Sequence, residues 1–292
     1  MTWPSGGIFG DEVFRRGFVD TSQGQVHYRY RQGSGRPLVL FHASPGSAAM
    51  LLPLMARIRP SRSVYALDTL GNGDSCPPSD SVRGIEDFAH VAYEAMQGLG
   101  LSEVDVYGSH TGAHLAVELA LTHPARIKHL VIDGMGLYSR SESADFEEEY
   151  CPAVEPTDHG SHLAWVWHFV TRGYMSFPWF SRSAASRTKV SVPDPDFLHI
   201  KSVEVLKALS TFRHSYLAAF RYPKREKLAQ LSLPCLVTVG EQDVLAPYFK
   251  ELSAATPAAV SRFIEADRLE THFDALARVI DEFLDDSLEE SR

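Results

Sequence analysis

The sequence predicts an α/β fold with a mostly parallel central sheet, flanking helices, and a helical segment inserted after the fourth buried strand. Short continuous apolar runs alternate with amphipathic helical patterns along most of the 292 residues. This alternation stops between residues 137 and 223, where aromatic residues accumulate and no buried strand is evident. One stretch, "VDVYGSHTGAHLA" from Val104 to Ala116, has small residues where a sharp turn between a strand and a helix needs them.

Strands are predicted from the spacing of apolar residues. The first contains Val26, Tyr28 and Tyr30, which alternate with polar residues, so this strand is half exposed. The others are continuous apolar runs, typical of strands buried on both faces of a parallel sheet. They lie at "LVLF" (38–41), "SVYALD" (63–68), "VDVYG" (104–108), "HLVIDG" (129–134), "CLVTVG" (235–240) and "SRFIEA" (261–266).

Helical patterns separate these strands. Apolar residues recur at helical spacing in "IEDFAHVAYEAMQGLG" (85–100), "GAHLAVELALTHP" (112–124) and "FDALARVIDEFLDDSL" (273–288). Strands that alternate with helices indicate a parallel sheet covered on both faces. Residues 137–223 interrupt the pattern and are predicted to form a helical insert.

Composition and charge narrow the class of partner. The formal net charge is −9 and there is no basic run, so nucleic acid is not an expected partner. No apolar stretch is long enough to span a membrane, and residues 1–18 lack the apolar region of a signal peptide. Cys76, Cys151 and Cys235 lie far apart and have no metal-binding spacing. A cytoplasmic protein without a membrane partner is the expectation.

The turn at Gly108–Gly112 has the spacing of a nucleophile turn. In the G-x-S-x-G turn the middle residue projects above the sheet from a strained backbone, and glycines two positions away avoid a clash. Here the glycines place His110 in the middle. Ser109 does not fit that position, because a tyrosine and a threonine would then replace the small residues.

The chain resembles the α/β-hydrolase family with a cap domain, because five motifs follow one another in the family's order. "FHASPGS" (41–47) is similar to the oxyanion loop, and "LDTLGNGDS" (67–75) to the D-x-x-G-x-G-x-S stretch. "GSHTG" (108–112) resembles the nucleophile elbow. "VGEQDVLAP" (239–247) and "THFD" (271–274) resemble the segments that carry the catalytic acid and histidine.

The resemblance implies roles for individual residues. Asp243 would be the acid, with Asp133 as second choice, and His272 the general base. The backbone N–H groups of Ser44 and Thr111 would form the oxyanion hole. No cofactor or metal is implied. Residues 1–136 and 224–292 would form the hydrolase core, and residues 137–223 a helical cap that shapes the site for a small-molecule substrate.

The departure from the family pattern is His110, where serine, cysteine or aspartate is usual. Neutral imidazole is a nucleophile, and a helix N-terminus disfavours imidazolium. His110 would therefore attack an ester, thioester, lactone or C–C bond, and water activated by His272 would release the product. Alternatively, His110 and His272 form an acid–base pair of a cofactor-independent lyase, dehydratase or isomerase.

Two further alternatives stay open. His110, His272 and Asp243 have ligand types suited to a metal, although the resemblance to the hydrolase family already accounts for Asp243 and His272. A protein of this fold can also have become a non-catalytic ligand-binding protein.

The predicted cap contains "TDHGSHLAWVW" (157–167), from which His162 and Trp165 are predicted to contact the substrate. The alternative is that this stretch caps a helix whose apolar face packs in the cap core. The aromatic residues of the cap favour a substrate with an apolar or aromatic part.

Overall fold

The computed structural model describes residues 14–188 and 190–289, without the side chains of residues 286–289. Residues 1–13 lie outside the described part. They include most of residues 1–18, for which the sequence predicts no signal peptide. No helix among the described residues is long and apolar enough to cross a bilayer.

The described residues form eight strands. These are β1 (Arg15–Thr21), β2 (Gly24–Arg31), β3 (Leu38–Phe41), β4 (Val64–Leu67), β5 (Val104–Ser109), β6 (Ile127–Asp133), β7 (Cys235–Gly240) and β8 (Ala259–Ile264). The helices in this part of the chain are α1 (Leu52–Arg57), α2 (Ile85–Gly98), α3 (Thr111–Thr122), α4 (Arg140–Asp145), α5 (Ser161–Met175), α6 (Pro195–Lys207), α7 (Phe212–Arg221), α8 (Lys224–Leu228), α9 (Phe249–Ala255) and α10 (Leu269–Glu289).

All eight strands join in one sheet with the order β1-β2-β4-β3-β5-β6-β7-β8. The pairs β1–β2 and β2–β4 are antiparallel, and every other pair is parallel. The predicted mostly parallel sheet is therefore confirmed. Strand β3 lies next to β5, so the segments after their carboxyl ends meet at one edge of the sheet.

Strand β1 was not predicted, because it is a polar edge strand. Its sequence "RRGFVDT" has one buried side chain, Val19, while Phe18 is 53% exposed. Without a buried face there is no apolar alternation to recognise. Strand β8 begins two residues earlier than predicted, at Ala259 rather than Ser261.

Helices cover both faces of the sheet, as the sequence predicts. On one face, α1 and α10 pack against β3 and β4 through side chains that include Leu54, Met55 and Ile280. On the other face, α2 and α3 pack through a larger cluster that includes Phe88 and Leu119. This packing fixes the first turn of α3 above the sheet edge.

Helices α4 to α7 follow β6, where the sequence predicts the insert. Among the described residues of 137–223, the only β pairing is an isolated bridge between Ser176 and Arg187. The segment has its own aromatic core, in which Trp165, Phe169 and Trp179 contact one another. Tyr150 and Phe220 of a neighbouring cluster continue this aromatic packing towards the sheet edge.

Candidate active site

The turn between β5 and α3 holds His110 in a strained conformation. His110 has φ 52° and ψ −113°, and it is the one non-glycine with positive φ among the described residues. Its backbone N–H donates to the carbonyl oxygens of Asp133 and Gly134, each at 3.1 Å. A non-glycine side chain in such a conformation is costly and is typical of functional sites. The turn aims this imidazole away from the strand that precedes it.

Gly108 and Gly112 are required by close backbone approach. A Cβ added to Gly108 would lie 2.3 Å from the carbonyl oxygen of Gly112. A Cβ on Gly112 would lie 2.3 Å from the carbonyl oxygen of Phe41. The spacing of these glycines in the sequence therefore does reflect the steric demand of the turn.

His110 forms a direct pair with Asp243. Its Nε2 lies 2.8 Å from Oδ2 of Asp243, in the loop after β7. The Leu245 N–H donates to the other carboxylate oxygen of Asp243 at 2.7 Å. Because an ionised carboxylate only accepts hydrogen bonds, Nε2 carries the proton and Nδ1 of the neutral ring has the lone pair. The imidazole is 31% exposed and the carboxylate 22%, so solvent and small molecules reach the pair.

The pair shifts both pKa values. Burial lowers the pKa of His110, but the charge and hydrogen bond of Asp243 outweigh it and leave that pKa above its ordinary value. Burial raises the pKa of Asp243, but His110, the Leu245 N–H and, more weakly, His272 leave it below its ordinary value. The N-terminus of α3 is expected to disfavour imidazolium, whereas the carboxylate of Asp243 acts in the opposite direction. A full charge at hydrogen-bond distance exceeds the partial charge of a helix end.

His272 is near Asp243 but does not form the expected hydrogen bond with it. The ring lies in the first turn of α10 and packs against the backbone of Gly240, where an added Cβ would lie 2.8 Å from Nδ1. It also contacts the ring of Phe273, with centroids 5.4 Å apart. Among the described residues, the side chain that hydrogen-bonds Asp243 is His110.

Asp133, the second-choice acid, is held by other partners. Its carboxylate accepts hydrogen bonds from the Tyr107 hydroxyl at 2.5 Å and the Thr238 hydroxyl at 2.9 Å. It is buried beneath the elbow. Of the two candidate acids, Asp243 is the one that contacts the imidazole of His110.

The expected oxyanion donors, Ser44 and Thr111, lie together, but one is already engaged. The Ser44 N–H donates to Oγ1 of Thr111 at 2.5 Å. Thr111 is the first residue of α3, so its N–H has no partner within the helix. The Thr111 hydroxyl, which accepts from Ser44, keeps its own hydrogen for donation.

Two side chains fix the loop that carries Ser44. Nε2 of His42 accepts from the Thr69 N–H at 3.0 Å, so its Nδ1 donates to the Ala43 carbonyl, also at 3.0 Å. From α6, Nζ of Lys201 donates to the Pro45 carbonyl at 2.8 Å, and burial lowers the pKa of this lysine to about 8. Nothing in the sequence marks Lys201, because a lone lysine on a helix belongs to no motif.

A cavity lies beside the elbow, between the sheet edge and the inserted helices. His110, Ser44 and Thr111 contribute to its wall, and most of the rest is aromatic. The aromatic wall residues are Tyr138, Tyr150, Phe177, Tyr216 and Phe220. Two basic side chains that the sequence analysis missed, His114 and Lys224, also line it.

His162 and Trp165, the expected substrate contacts from the insert, are not among the residues that line this cavity. Nδ1 of His162 accepts from the Thr157 N–H at 3.1 Å, at the start of α5. Trp165 stacks on Phe169, with ring centroids 5.1 Å apart, inside the aromatic core of the insert. Helical spacing alone does not tell which face of α5 points to the core, so a substrate contact from His162 or Trp165 stays a prediction.

Comparison with known proteins supports the fold. The family model described as "alpha/beta hydrolase fold" matches residues 36–152, which include the loop at 41–47 and the turn at His110. The solved structure of a bromoperoxidase from Bacillus anthracis superposes with a TM-score of 0.71 at 18% identity, over 93% of this chain and 100% of that one. The chain has the α/β-hydrolase fold.

Curated relatives match part of the chain. A proline iminopeptidase from Heyndrickxia coagulans is 30% identical over 126 residues, 41% of this chain and 42% of that protein. A 2-hydroxymuconate semialdehyde hydrolase from Pseudomonas sp. (strain CF600) is 33% identical over 108 residues, 35% and 37% of the two chains. The chain thus spans about two fifths of the length of the curated relatives it matches.

Proposed function

We propose that this protein is an α/β-hydrolase-fold enzyme that hydrolyses a small organic carbonyl compound, with His110 acting as a general base rather than as a covalent nucleophile. The observation that carries the proposal is the 2.8 Å contact between Nε2 of His110 and Oδ2 of Asp243. In a Ser–His–Asp triad the acid orients a histidine that activates the nucleophile. Here the acid orients the elbow residue itself.

The proposed reaction begins with a water molecule beside Nδ1 of His110. Nδ1 takes a proton from the water as its oxygen bonds to the carbonyl carbon of an ester, thioester, lactone or ketone. Asp243 stabilises the imidazolium that forms. The tetrahedral intermediate then collapses, the bond to the leaving group breaks, and the imidazolium returns its proton to that group.

The electrostatics support proton transfer at His110. The pKa of His110 lies above its ordinary value because of Asp243, which makes the neutral ring a stronger proton acceptor. An exposed fraction of 31% leaves room for water at the ring. His272, the base expected from the family resemblance, has no hydrogen bond to Asp243 and is assigned no proton transfer in this proposal.

Thr111 is proposed to stabilise the oxyanion. Its N–H is free of the helix and its hydroxyl hydrogen is free to donate, whereas the Ser44 N–H is engaged by Oγ1 of Thr111. Residues 137–223 are proposed to be the cap, since Tyr150, Phe177 and Tyr216 from this segment form much of the cavity wall. An aromatic wall favours a substrate with an apolar or aromatic part.

A second candidate uses the same pair of residues. If the Ser44 N–H stays bonded to Thr111, the oxyanion hole has lost one backbone donor, which weakens acyl transfer more than it weakens simple proton abstraction. His110 would then remove a proton from the substrate, as in a cofactor-independent lyase, dehydratase or isomerase. The names of the curated relatives, which include a peptidase and a hydrolase, favour hydrolysis.

The test is turnover of p-nitrophenyl esters, N-acyl lactones and aryl ketones by the wild type and by His110→Ala. We expect one of these classes to be hydrolysed and His110→Ala to lower kcat/KM by about 10²–10⁴-fold, the range of general-base catalysis. The matched control is His90→Ala on α2, whose side chain is 66% exposed, and it is expected to leave the rate unchanged.

Mass spectrometry of acid-quenched enzyme separates the mechanisms. General-base hydrolysis predicts no acyl adduct on His110 during turnover. An adduct on His110 would overturn the base role in favour of covalent catalysis. Conversion of an aryl ketone or lactone without uptake of oxygen from ¹⁸O-labelled water would replace hydrolysis by the second candidate, and wild-type turnover that His110→Ala retains would remove His110 from either mechanism.

A further inference from the structure

His114 and Lys224 form an unusual pair of basic side chains in the cavity wall. Both line the cavity that His110 lines, and both are more than nine-tenths buried, at 5% and 6% exposure. His114 lies in the first turn of α3, four residues after His110, and its Nδ1 contacts the carbonyl oxygen of His110. Lys224 begins α8, directly after the inserted helices.

His114 carries a hydrogen-bond acceptor that no described residue uses. Its Nδ1 lies 2.9 Å from the carbonyl oxygen of His110, and since a carbonyl only accepts, Nδ1 holds the proton. Nε2 therefore has the lone pair, and it is buried without a hydrogen-bond partner in the described part of the chain. Burial, followed by the charge of Lys224, holds the pKa of His114 well below its ordinary value, so the ring stays neutral.

The ammonium group of Lys224 has no carboxylate partner among the described residues. Its Nζ donates to the carbonyl of Ala219 at 2.7 Å and more weakly to that of Phe220 at 3.5 Å. It forms no ion pair with a described carboxylate, and Glu118 on the neighbouring α3 pairs with Lys227 and Tyr222. A buried cation without an anionic partner is costly, and so is a buried acceptor without a donor.

The rest of the wall indicates what would satisfy both groups. Nζ of Lys224 lies 5.4 Å from the centroid of the Tyr138 ring, so the charge stands against an aromatic surface. Phe177, Tyr216 and Phe220 continue that surface around the cavity. A hydroxyl group both donates and accepts, so one hydroxyl on a flat apolar ring matches an acceptor and a donor set in an aromatic wall.

We propose that His114 and Lys224 form the specificity site of this cavity and bind the hydroxyl group of a phenolic substrate, which donates to Nε2 of His114 and accepts from Nζ of Lys224. This inference rests on the proposed function only in taking the cavity as the substrate site. It places the phenolic ring among the aromatic side chains, with the hydroxyl at the two basic groups and the reacting carbonyl towards His110.

The test measures the affinities of phenol, anisole and toluene by ligand-detected NMR, under conditions in which no turnover occurs. Anisole can accept from Lys224 but cannot donate to His114, and toluene can do neither. We expect the wild type to bind phenol about tenfold more tightly than anisole, and anisole more tightly than toluene, as hydrogen bonds to buried and charged groups imply.

Two variants test which residue causes each difference in affinity. His114→Asn, whose amide can still donate to the His110 carbonyl, should make phenol and anisole bind equally. Lys224→Met should make anisole and toluene bind equally. Toluene affinity should stay unchanged in both, which shows that the cavity is intact. Lys128→Met, a surface lysine paired with Glu103, is the matched control and should keep the wild-type ranking.

Two results would overturn the proposal. The first is equal binding of all three probes by the wild type, as expected if water alone occupies the two basic groups. The second is a wild-type ranking that survives in both His114→Asn and Lys224→Met. Because binding is measured without turnover, an inactive protein that still ranks the probes would refute the proposed hydrolysis and leave the phenol site standing.

Discussion

Two histidines four residues apart, one just before α3 and one in its first turn, have opposite electrostatic environments. His110 lies 2.8 Å from the carboxylate of Asp243, and its pKa is raised despite burial. His114 is more deeply buried, has Lys224 as its charged neighbour, and its pKa is lowered well below the ordinary value. The same side chain is thus suited to proton transfer at one position and to neutral hydrogen bonding at the next. Neighbouring charge, and not residue type, separates the end of the cavity proposed to react from the end proposed to recognise the substrate.

Removing the carboxylate of Asp243 should abolish the pKa contrast between His110 and His114. This change is expected to have the largest effect on activity. In Asp243→Asn the pKa of His110 loses its main raising influence, while burial continues to lower it. The neutral ring is the active form, so activity rises with pH through the His110 pKa. The midpoint of that rise in kcat/KM should therefore move to lower pH in the variant. The maximum should fall by about 10²–10⁴-fold, because the imidazolium is no longer stabilised.

A pH–rate profile of both proteins measures the two effects separately. Glu103→Gln, which removes an exposed surface carboxylate, is the control and should leave the midpoint in place. A lowered maximum with an unchanged midpoint would mean that Asp243 supports the loop but does not set the basicity of His110.

The sequence predicted the elbow but not the pair it forms. Gly108 and Gly112 are local signals, because their lack of a side chain meets a local steric need. His110 and Asp243 are 133 residues apart, and their contact depends on the size of the elbow side chain. In a Ser–His–Asp triad, a separate histidine lies between the serine and the acid. The longer side chain of His110 contacts the acid directly.

The recognition end of the cavity was less predictable. His114 stands only four residues after His110, so the sequence at least places it close to the elbow, although His110 itself is not helical. Lys224 carries no such signal, because a lysine at a helix start is ordinary and its burial results from packing of α7 against the core. Trp165 shows the same difficulty, since its aromatic character suits the core of the insert as well as a binding wall.

Thr111 tests the reactive end with an intermediate effect. Thr111→Val keeps the shape of the side chain and the backbone N–H, but removes the hydroxyl that accepts from Ser44 and is proposed to donate to the oxyanion. We expect kcat to fall by about 10–10²-fold with little change in KM, because the lost hydrogen bond forms mainly in the transition state.

Thr111→Ser is the matched control, since it keeps the hydroxyl and should retain most of the rate. A faster Thr111→Val enzyme would instead mean that release of the Ser44 N–H creates a better oxyanion donor than the threonine hydroxyl. Steady-state kinetics on the best substrate distinguish these outcomes.

The smallest effect on activity is expected from substitution of His272. Unlike His110, this histidine has no hydrogen bond to Asp243. His272 packs on the Gly240 backbone and lacks a hydrogen bond to Asp243, so it should not transfer a proton in the rate-limiting step. We expect His272→Ala to change kcat/KM by less than about threefold, well below the range of general-base catalysis. His272→Gln, which keeps a polar side chain of similar length, should behave alike. A loss as large as that of His110→Ala would instead mean that Asp243 turns to His272 when substrate binds, and that the elbow histidine acts beside a second base.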